Sequence, residues 1–78
     1  MPTVLITEGF RFFFFSNERD EPPHIHVERG DGYAKYWLRP IMLVESARLT
    51  RAEARRLEGL VRANQRLFLE RWNAHFGS

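Results

Sequence analysis

The sequence predicts an α+β fold in which a small antiparallel sheet of four to five strands precedes one long C-terminal helix packed on one face. Short β-branched and aromatic runs, separated by glycine or proline, fill the segment before Thr50 and are typical of strands joined by turns. After Thr50, apolar residues recur at three- and four-residue spacing, which is typical of a helix with one buried face. No linker or repeat divides the 78 residues, so we expect a single domain, 1–78.

Glycine and proline residues set the expected strand boundaries. Gly9 separates the first two strands, and Pro22-Pro23 favours an extended conformation before the third. A glycine-rich hairpin signal follows the third strand, and Pro40 stops the fourth. The expected strands cover residues 3–7, 10–16, 24–29, 33–38 and 41–45.

The C-terminal helix is expected over residues 51–76. Thr50 and Glu53 fit a capping box, in which the two side chains bind backbone amides at the helix N-terminus. Gly77 is a typical C-terminal cap, and Gly59 is expected to mark close packing or a slight bend. One broad face collects the side chains expected to pack on the sheet: Leu57, Leu60, Val61, Asn64, Leu67, Phe68, Trp72 and His75.

Composition excludes several classes of protein. Apolar residues make up 44% of the chain and aromatic residues 14%, which indicates a globular rather than a disordered protein. No cysteine is present, so neither a disulfide nor a thiolate zinc site can form. No segment approaches the roughly 20 apolar residues of a membrane span, and the first residues do not resemble a signal peptide. We therefore expect a cytoplasmic protein that does not contact a membrane.

Residues 24–39 carry the clearest functional signal in the chain. Side chains alternate between the two faces of a strand, so His24, His26 and Glu28 share one face. A hairpin turn adds alternate residues of the next strand to this face. Its expected members are His24, His26, Glu28, Lys35, Trp37 and Arg39, whereas Ile25, Val27, Tyr36 and Leu38 lie on the other face, beneath the helix.

Two hairpin loops fit this sequence. With Asp31-Gly32 as the loop, the expected pairs are Glu28–Lys35, His26–Trp37 and His24–Arg39. With Gly30-Asp31 as the loop, the partners shift by two residues, and both faces keep their members.

The polar face has two main interpretations. The first is an ordinary solvated sheet surface. The second is a metal-independent ribonuclease site, which needs a base for the 2′-hydroxyl, an acid for the leaving oxygen and a cation for the phosphate. His24 and His26 could supply the acid and the base. Lys35 or Arg39 could hold the phosphate, and Trp37 could stack on a nucleobase.

A metal site on His24 and His26 is the third interpretation. Alternate strand positions lie about 6.6 Å apart, a separation that one ion can bridge. Glu28 lies about 13 Å from His24 along the strand, too far for all three residues to share an ion. A third ligand would have to come from elsewhere, for instance Glu21 or His75. We predict no metal and no other cofactor.

Arginines are concentrated in the predicted helix. The formal net charge is only +2, but seven of the twelve basic residues are arginines between Arg48 and Arg71. Four of them project within roughly 60° of one another, opposite the apolar face. They form either a solvated surface or a surface that binds nucleic-acid phosphates or an acidic partner. These four are Arg51, Arg55, Arg62 and Arg66, of which Arg55 and Arg62 are our candidate substrate-binding residues.

Residues 12–15 are all phenylalanine and place aromatic side chains on both faces of one strand. A single helix covers only one of these faces. The loop that follows can cover part of the other face, and a partner chain or a homodimer can cover the rest.

Several segments together resemble domain-of-unknown-function family 4160. The most specific segments are Pro22-Pro23-His24-Ile25-His26-Val27 and Ala34-Lys35-Tyr36-Trp37-Leu38. Residues 1–3, 9–17, 43–46 and 72–77 fit the same family. Its members are small bacterial and phage proteins, commonly encoded beside a second small protein in a pair that resembles a toxin–antitoxin system. The resemblance implies a toxin-like role for this chain, with His24, His26, Lys35 and Trp37 as functional positions.

The leading hypothesis is therefore a toxin-like component of a two-gene module. We expect it to act on RNA, DNA or the translation machinery through its His/Lys/Trp face, and to be held inactive by a small antitoxin-like protein partner. One alternative is a non-enzymatic module that binds protein or nucleic acid. Another is a small metal-binding protein that uses the His-x-His segment.

Overall fold

The structure is a computed structural model that describes residues 3–15 and 20–77. Its five strands form one antiparallel sheet in chain order, followed by two helices, which confirms the predicted α+β fold. The second predicted strand extends to Ser16, which lies outside the described residues, whereas the observed strand ends at Phe13. The elements are β1 (Thr3–Thr7), β2 (Phe10–Phe13), β3 (His24–Arg29), β4 (Gly32–Leu38), β5 (Ile41–Ala47), α1 (Arg51–Ala63) and α2 (Gln65–Phe76).

The C-terminal helix is interrupted at Asn64, where the sequence predicted one continuous helix. The Asn64 side chain donates to the Leu60 carbonyl at 2.8 Å, and the Asn64 backbone N–H donates to the same carbonyl at 3.0 Å. The first residue of α2 is also held elsewhere, because Gln65 Nε2 donates to the Leu38 carbonyl at the end of β4 at 2.7 Å. Side-chain competition for a helix carbonyl and this tertiary bond together account for the break.

The predicted helix caps are confirmed. Thr50 and Glu53 form the capping box, and Gly77 ends α2 in the left-handed conformation, with φ of 72°. Gly59 is exposed, and an added Cβ atom would meet nothing within 4 Å. Gly59 therefore does not mark close packing, and the interruption at Asn64 lies five residues beyond it.

The main core lies between the helices and one face of the sheet. Phe12 of β2 packs on Phe68 of α2 with ring centroids 5.0 Å apart, and both rings are fully buried. Each large apolar side chain buried in this way stabilises the fold by about 1.5–3 kcal/mol. His75, predicted on the packed face of the helix, is instead exposed, with its ring edge against Phe14. The buried members of this core are Phe10, Phe12, Phe14, Ile25, Val27, Ala34, Tyr36, Leu38, Leu57, Leu60, Val61, Phe68 and Trp72.

The turn between β1 and β2 is fastened to α1 by ion pairs, which fix the helix across the sheet. Glu8 and Gly9 both have positive φ, and an added Cβ on Gly9 would lie 1.8 Å from the Arg29 guanidinium. Arg29 donates to the Glu8 carbonyl at 2.7 Å and to Glu53 at 3.0 Å, while Arg56 binds the Glu8 carboxylate. The hydrogen bond from Arg56 holds the pKa of Glu8 below its ordinary value. Among the described residues, no helix is both long and apolar enough to cross a membrane.

Candidate functional site

The β3–β4 hairpin has the register of the second predicted loop, Gly30-Asp31. Its outward-facing pairs are displaced by two residues from the first alternative, Asp31-Gly32. Gly30 takes a φ of 56° at the first turn position, where hairpins of the II′ type favour glycine. Gly32 begins β4 in a space that leaves no room for a side chain, because an added Cβ would lie 2.5 Å from Leu49. The observed pairs on the outer face of the sheet are His24–Trp37, His26–Lys35 and Glu28–Tyr33.

His24 and His26 are on the predicted face, but both are buried. His24 has 0% of its surface exposed and His26 has 4%. The His24 ring lies 5.7 Å from the Trp37 ring and 4.8 Å from the ring of Trp72 in α2. The two imidazole rings are themselves 5.0 Å apart. Their setting is therefore an enclosed aromatic cluster and not a solvated surface.

Two phenylalanines cover His26: Phe13, the last residue of β2, and Phe15, which lies just beyond the strand. The Phe13 ring stacks on the imidazole at 5.5 Å, and the Phe15 ring meets it edge-on at 4.9 Å. Part of the cover that the phenylalanine run was expected to need is thus provided within the chain. Phe15 itself stays partly exposed.

Hydrogen bonds fix both imidazole rings. His24 Nδ1 lies 2.9 Å from the Pro22 carbonyl oxygen, which can only accept, so Nδ1 carries a proton. His26 Nδ1 lies 3.0 Å from the Tyr33 hydroxyl, and that hydroxyl donates to Glu45 at 3.2 Å. His26 Nδ1 is therefore also the donor in its bond. The result is a chain of hydrogen bonds from β3 through β4 to β5.

Lys35 and Trp37 are partly exposed and contact each other. The Lys35 Nζ atom lies 5.0 Å from the centroid of the Trp37 ring. It also donates to Glu21 at 2.8 Å, so a carboxylate already neutralises the Lys35 charge. The contacts of these side chains therefore hold the outer face of the sheet in one arrangement. The catalytic roles of His24, His26 and Lys35 stay predictions.

The ligands proposed for a metal do not converge in the part of the chain that is described. Glu21 lies 3.9 Å from His24 Nδ1, and this nitrogen donates to a backbone carbonyl. His75 is exposed beside Phe14, on α2. Across residues 3–15 and 20–77, no group of three His, Cys, Asp or Glu side chains has the arrangement of a metal site.

Arg39 leaves the polar face and joins the arginines of the helices. It lies in the turn between β4 and β5 and lines a shallow cleft with Gln65 and Arg66 of α2. Arg55 projects from α1, as does Arg62, which pairs with Glu58 at 3.1 Å. We call the exposed set the arginine surface; it consists of Arg39, Arg51, Arg55, Arg62 and Arg66.

Most of the arginine surface forms no ion pair with the described residues, although Glu70 lines the cleft that Arg39 and Arg66 share. Within the described ranges, Arg62 is the one member with a carboxylate partner, and no hydrogen bond or ion pair holds the other four. By contrast, Arg29 and Arg56 are engaged by Glu53 and Glu8. Of the three arginines predicted to bind a substrate, Arg39 and Arg55 therefore remain available to a ligand, whereas Arg62 pairs with Glu58.

Sequence reasoning missed the part that Tyr33 and Glu45 play in fixing His26. The signal was present, because Tyr33 has the same strand parity as Lys35 and Trp37. It also missed three consecutive exposed apolar residues on β5, namely Met42, Leu43 and Val44.

Comparison with known protein families identifies a domain over most of the chain. A profile described as "Domain of unknown function (DUF4160)" matches residues 9–73. Comparison with curated proteins gave no significant match. Comparison with solved structures gave none either.

Proposed function

We propose that this chain, which belongs to the DUF4160 family, is a toxin-like component of a two-gene module and that it acts by binding RNA. The observation that carries the proposal is the arginine surface, of which four members have no carboxylate partner in the described part of the chain. The two-gene arrangement is supported by the family resemblance of the sequence. A small partner protein would hold the chain inactive.

The geometry of the arginine surface suits a phosphate backbone. Arg51 and Arg62 are eleven residues apart in α1, which corresponds to about 16 Å along the helix. A nucleic-acid strand presents several phosphates over that distance. The planar guanidinium group can donate two parallel hydrogen bonds to one phosphate, and each contact releases counterions. The surface therefore favours binding that depends on charge and not on nucleotide sequence.

The buried histidines favour binding over catalysis. A general acid or base must come within about 3 Å of the proton it transfers, directly or through one water. Both Nδ1 atoms are engaged within the protein, and aromatic rings enclose both imidazoles. We therefore place the arginine surface, and not the imidazoles, at the centre of the proposed activity.

Growth of bacteria that express the chain tests this proposal. Expression of the wild-type chain is expected to arrest growth, and co-expression of the adjacent gene product is expected to restore it. The double variant Arg55→Gln/Arg66→Gln should lose the arrest because two phosphate contacts are removed. Arg71→Gln is the matched control, since Arg71 is also exposed but lines the cleft against β1.

A histidine variant separates binding from catalysis in the same assay. His26→Asn keeps a donor near the position of Nδ1 but cannot transfer a proton, so growth arrest should persist. Loss of arrest in a folded His26→Asn protein, with arrest retained in the arginine double variant, would refute the proposal and favour the catalytic histidines.

A further inference from the structure

The outer edge of β5 is apolar on both faces of the sheet. β5 is the last strand in the sheet order, and no other strand of the described residues pairs with its outer edge. Met42, Leu43 and Val44 are exposed by 56%, 47% and 40%. Met42 pairs with Trp37 on the outer face and Leu43 pairs with Tyr36 on the helix face. Exposed apolar area therefore lies on either side of an open strand edge.

The opposite edge of the sheet is different. On β1, Val4 and Leu5 pack against the core, and Ile6 is the exposed apolar residue, at 67%. Natural edge strands are commonly protected by charged residues, proline or distortion. Glu45 is the one charged residue of β5, β1 carries none, and the pairing of each strand has an irregularity. The two edges therefore differ in exposed apolar area, which is larger on β5 because three neighbouring side chains contribute to it.

Positive charge lies at the start of the β5 edge. Arg39 is exposed in the turn between β4 and β5, two residues before Ile41. It shares a cleft with Arg66 of α2. Because Arg39 and Arg66 belong to the arginine surface, a protein that binds along β5 also comes close to that surface.

This charge pattern argues against a second copy of the chain as the occupant. The chain has a formal net charge of +2. A two-fold pairing of β5 with β5 would keep the helices of both copies on the same side of the joined sheet and bring two arginine surfaces together. Like charges placed opposite one another oppose association.

We infer that the β5 edge accepts a strand from an acidic partner protein. The partner strand carries apolar side chains on both faces, which cover Met42 and Leu43, and its backbone forms a ladder with β5. Its carboxylates lie against the arginine surface. The inference deepens the proposed function, on which it rests, because such a partner would compete with RNA for the same arginines.

A designed peptide tests the inference directly. The probe is a capped peptide with a central Val-Ile-Val-Ile run and Glu-Glu at both ends. It should bind the wild-type chain and displace a labelled single-stranded RNA. Leu43→Gln or Met42→Gln should weaken peptide binding by at least about tenfold, an effect on the scale of a lost buried apolar contact. Ile6→Gln, at the opposite edge, is the matched control and should bind the peptide as the wild type does.

Two altered peptides separate strand addition from general adhesion. A version with Lys-Lys ends should bind much more weakly, and a version with alternate backbone amides N-methylated should lose binding because it cannot form the ladder. Three outcomes would overturn the inference. The first is equal binding of the acidic and basic peptides, and the second is a loss of peptide binding in Ile6→Gln as large as that in Leu43→Gln. The third is a wild-type dimer that the Leu43→Gln substitution dissociates. RNA binding by Leu43→Gln should stay at the wild-type level. If neither the wild-type chain nor any variant binds RNA, but the acidic peptide binds at β5, the proposed function fails. The inference that the β5 edge accepts a partner strand then still stands.

Discussion

At the scale of single residues, the histidines show how burial changes the meaning of a polar pattern. His26 is stacked on Phe13 and donates through Nδ1 to Tyr33, whose hydroxyl donates to Glu45. Three neighbouring strands are thus linked through side chains as well as through backbone bonds. The linkage gives His26 a structural role in ordering the outer face.

Removal of the Tyr33 hydroxyl is the direct test of that linkage. Tyr33→Phe should lower the free energy of unfolding by about 1 kcal/mol. The reason is that the partly buried Tyr33 side chain loses two hydrogen bonds, which bonds to water replace only in part. Urea unfolding followed by circular dichroism measures the change. Tyr36→Phe is the control, since the Tyr36 hydroxyl bonds to none of the described residues. An equal loss of stability in both variants would contradict the assignment.

At the scale of elements, the contacts at the two ends of the helical segment fix how it crosses the sheet. Near its start, Arg29 and Arg56 fasten the β1–β2 turn to α1 through Glu53 and Glu8. At the start of α2, Gln65 binds the carbonyl at the end of β4. The helices therefore hold one orientation over the sheet, and the arginine surface keeps a fixed position relative to β5.

The contact between Arg56 and Glu8 should make stability depend on pH. Arg56 lowers the pKa of Glu8 from its ordinary value of 4.5, so the stabilisation is present above that pH and is lost as the pH falls through the folded-state value. Arg56→Gln should therefore destabilise the protein near neutral pH and have less effect at about pH 3. Urea midpoints at the two pH values provide the measurement. The control is Arg55→Gln, because Arg55 has no carboxylate partner among the described residues; a pH-independent loss in Arg56→Gln would contradict the contact.

At the scale of the whole molecule, local patterns were enough to predict the order of the strands and the helical segment, the caps and, except for Arg39, the membership of the two sheet faces. They could not choose between the two hairpin loops, because that choice depends on Gly32 packing against Leu49, a distant residue. They could not locate the break at Asn64, which involves a bond from Gln65 to the end of β4. Each of these features arises from tertiary contacts that sequence periodicity does not contain.

The candidate site shows the same division between local and tertiary information. The spacing of Arg55 and Arg62 predicted that they share a helix face, and the structure agrees. The same reasoning assigned Arg39 to the histidine face, but the hairpin register places it beyond the end of β4, in a cleft with Arg66. The burial of His24 depends in part on Trp72, almost fifty residues away in the chain.

The salt dependence of RNA affinity tests the central claim most directly. Fluorescence anisotropy of a labelled single-stranded RNA, between about 50 and 200 mM salt, should give a plot of log affinity against log salt with a slope of about −2 to −3, as expected for three to four phosphate contacts. Arg55→Gln and Arg66→Gln should each make the slope shallower by about 0.7, whereas Arg71→Gln should leave it unchanged. Affinity that does not depend on salt, or that falls equally in Arg71→Gln, would contradict the account.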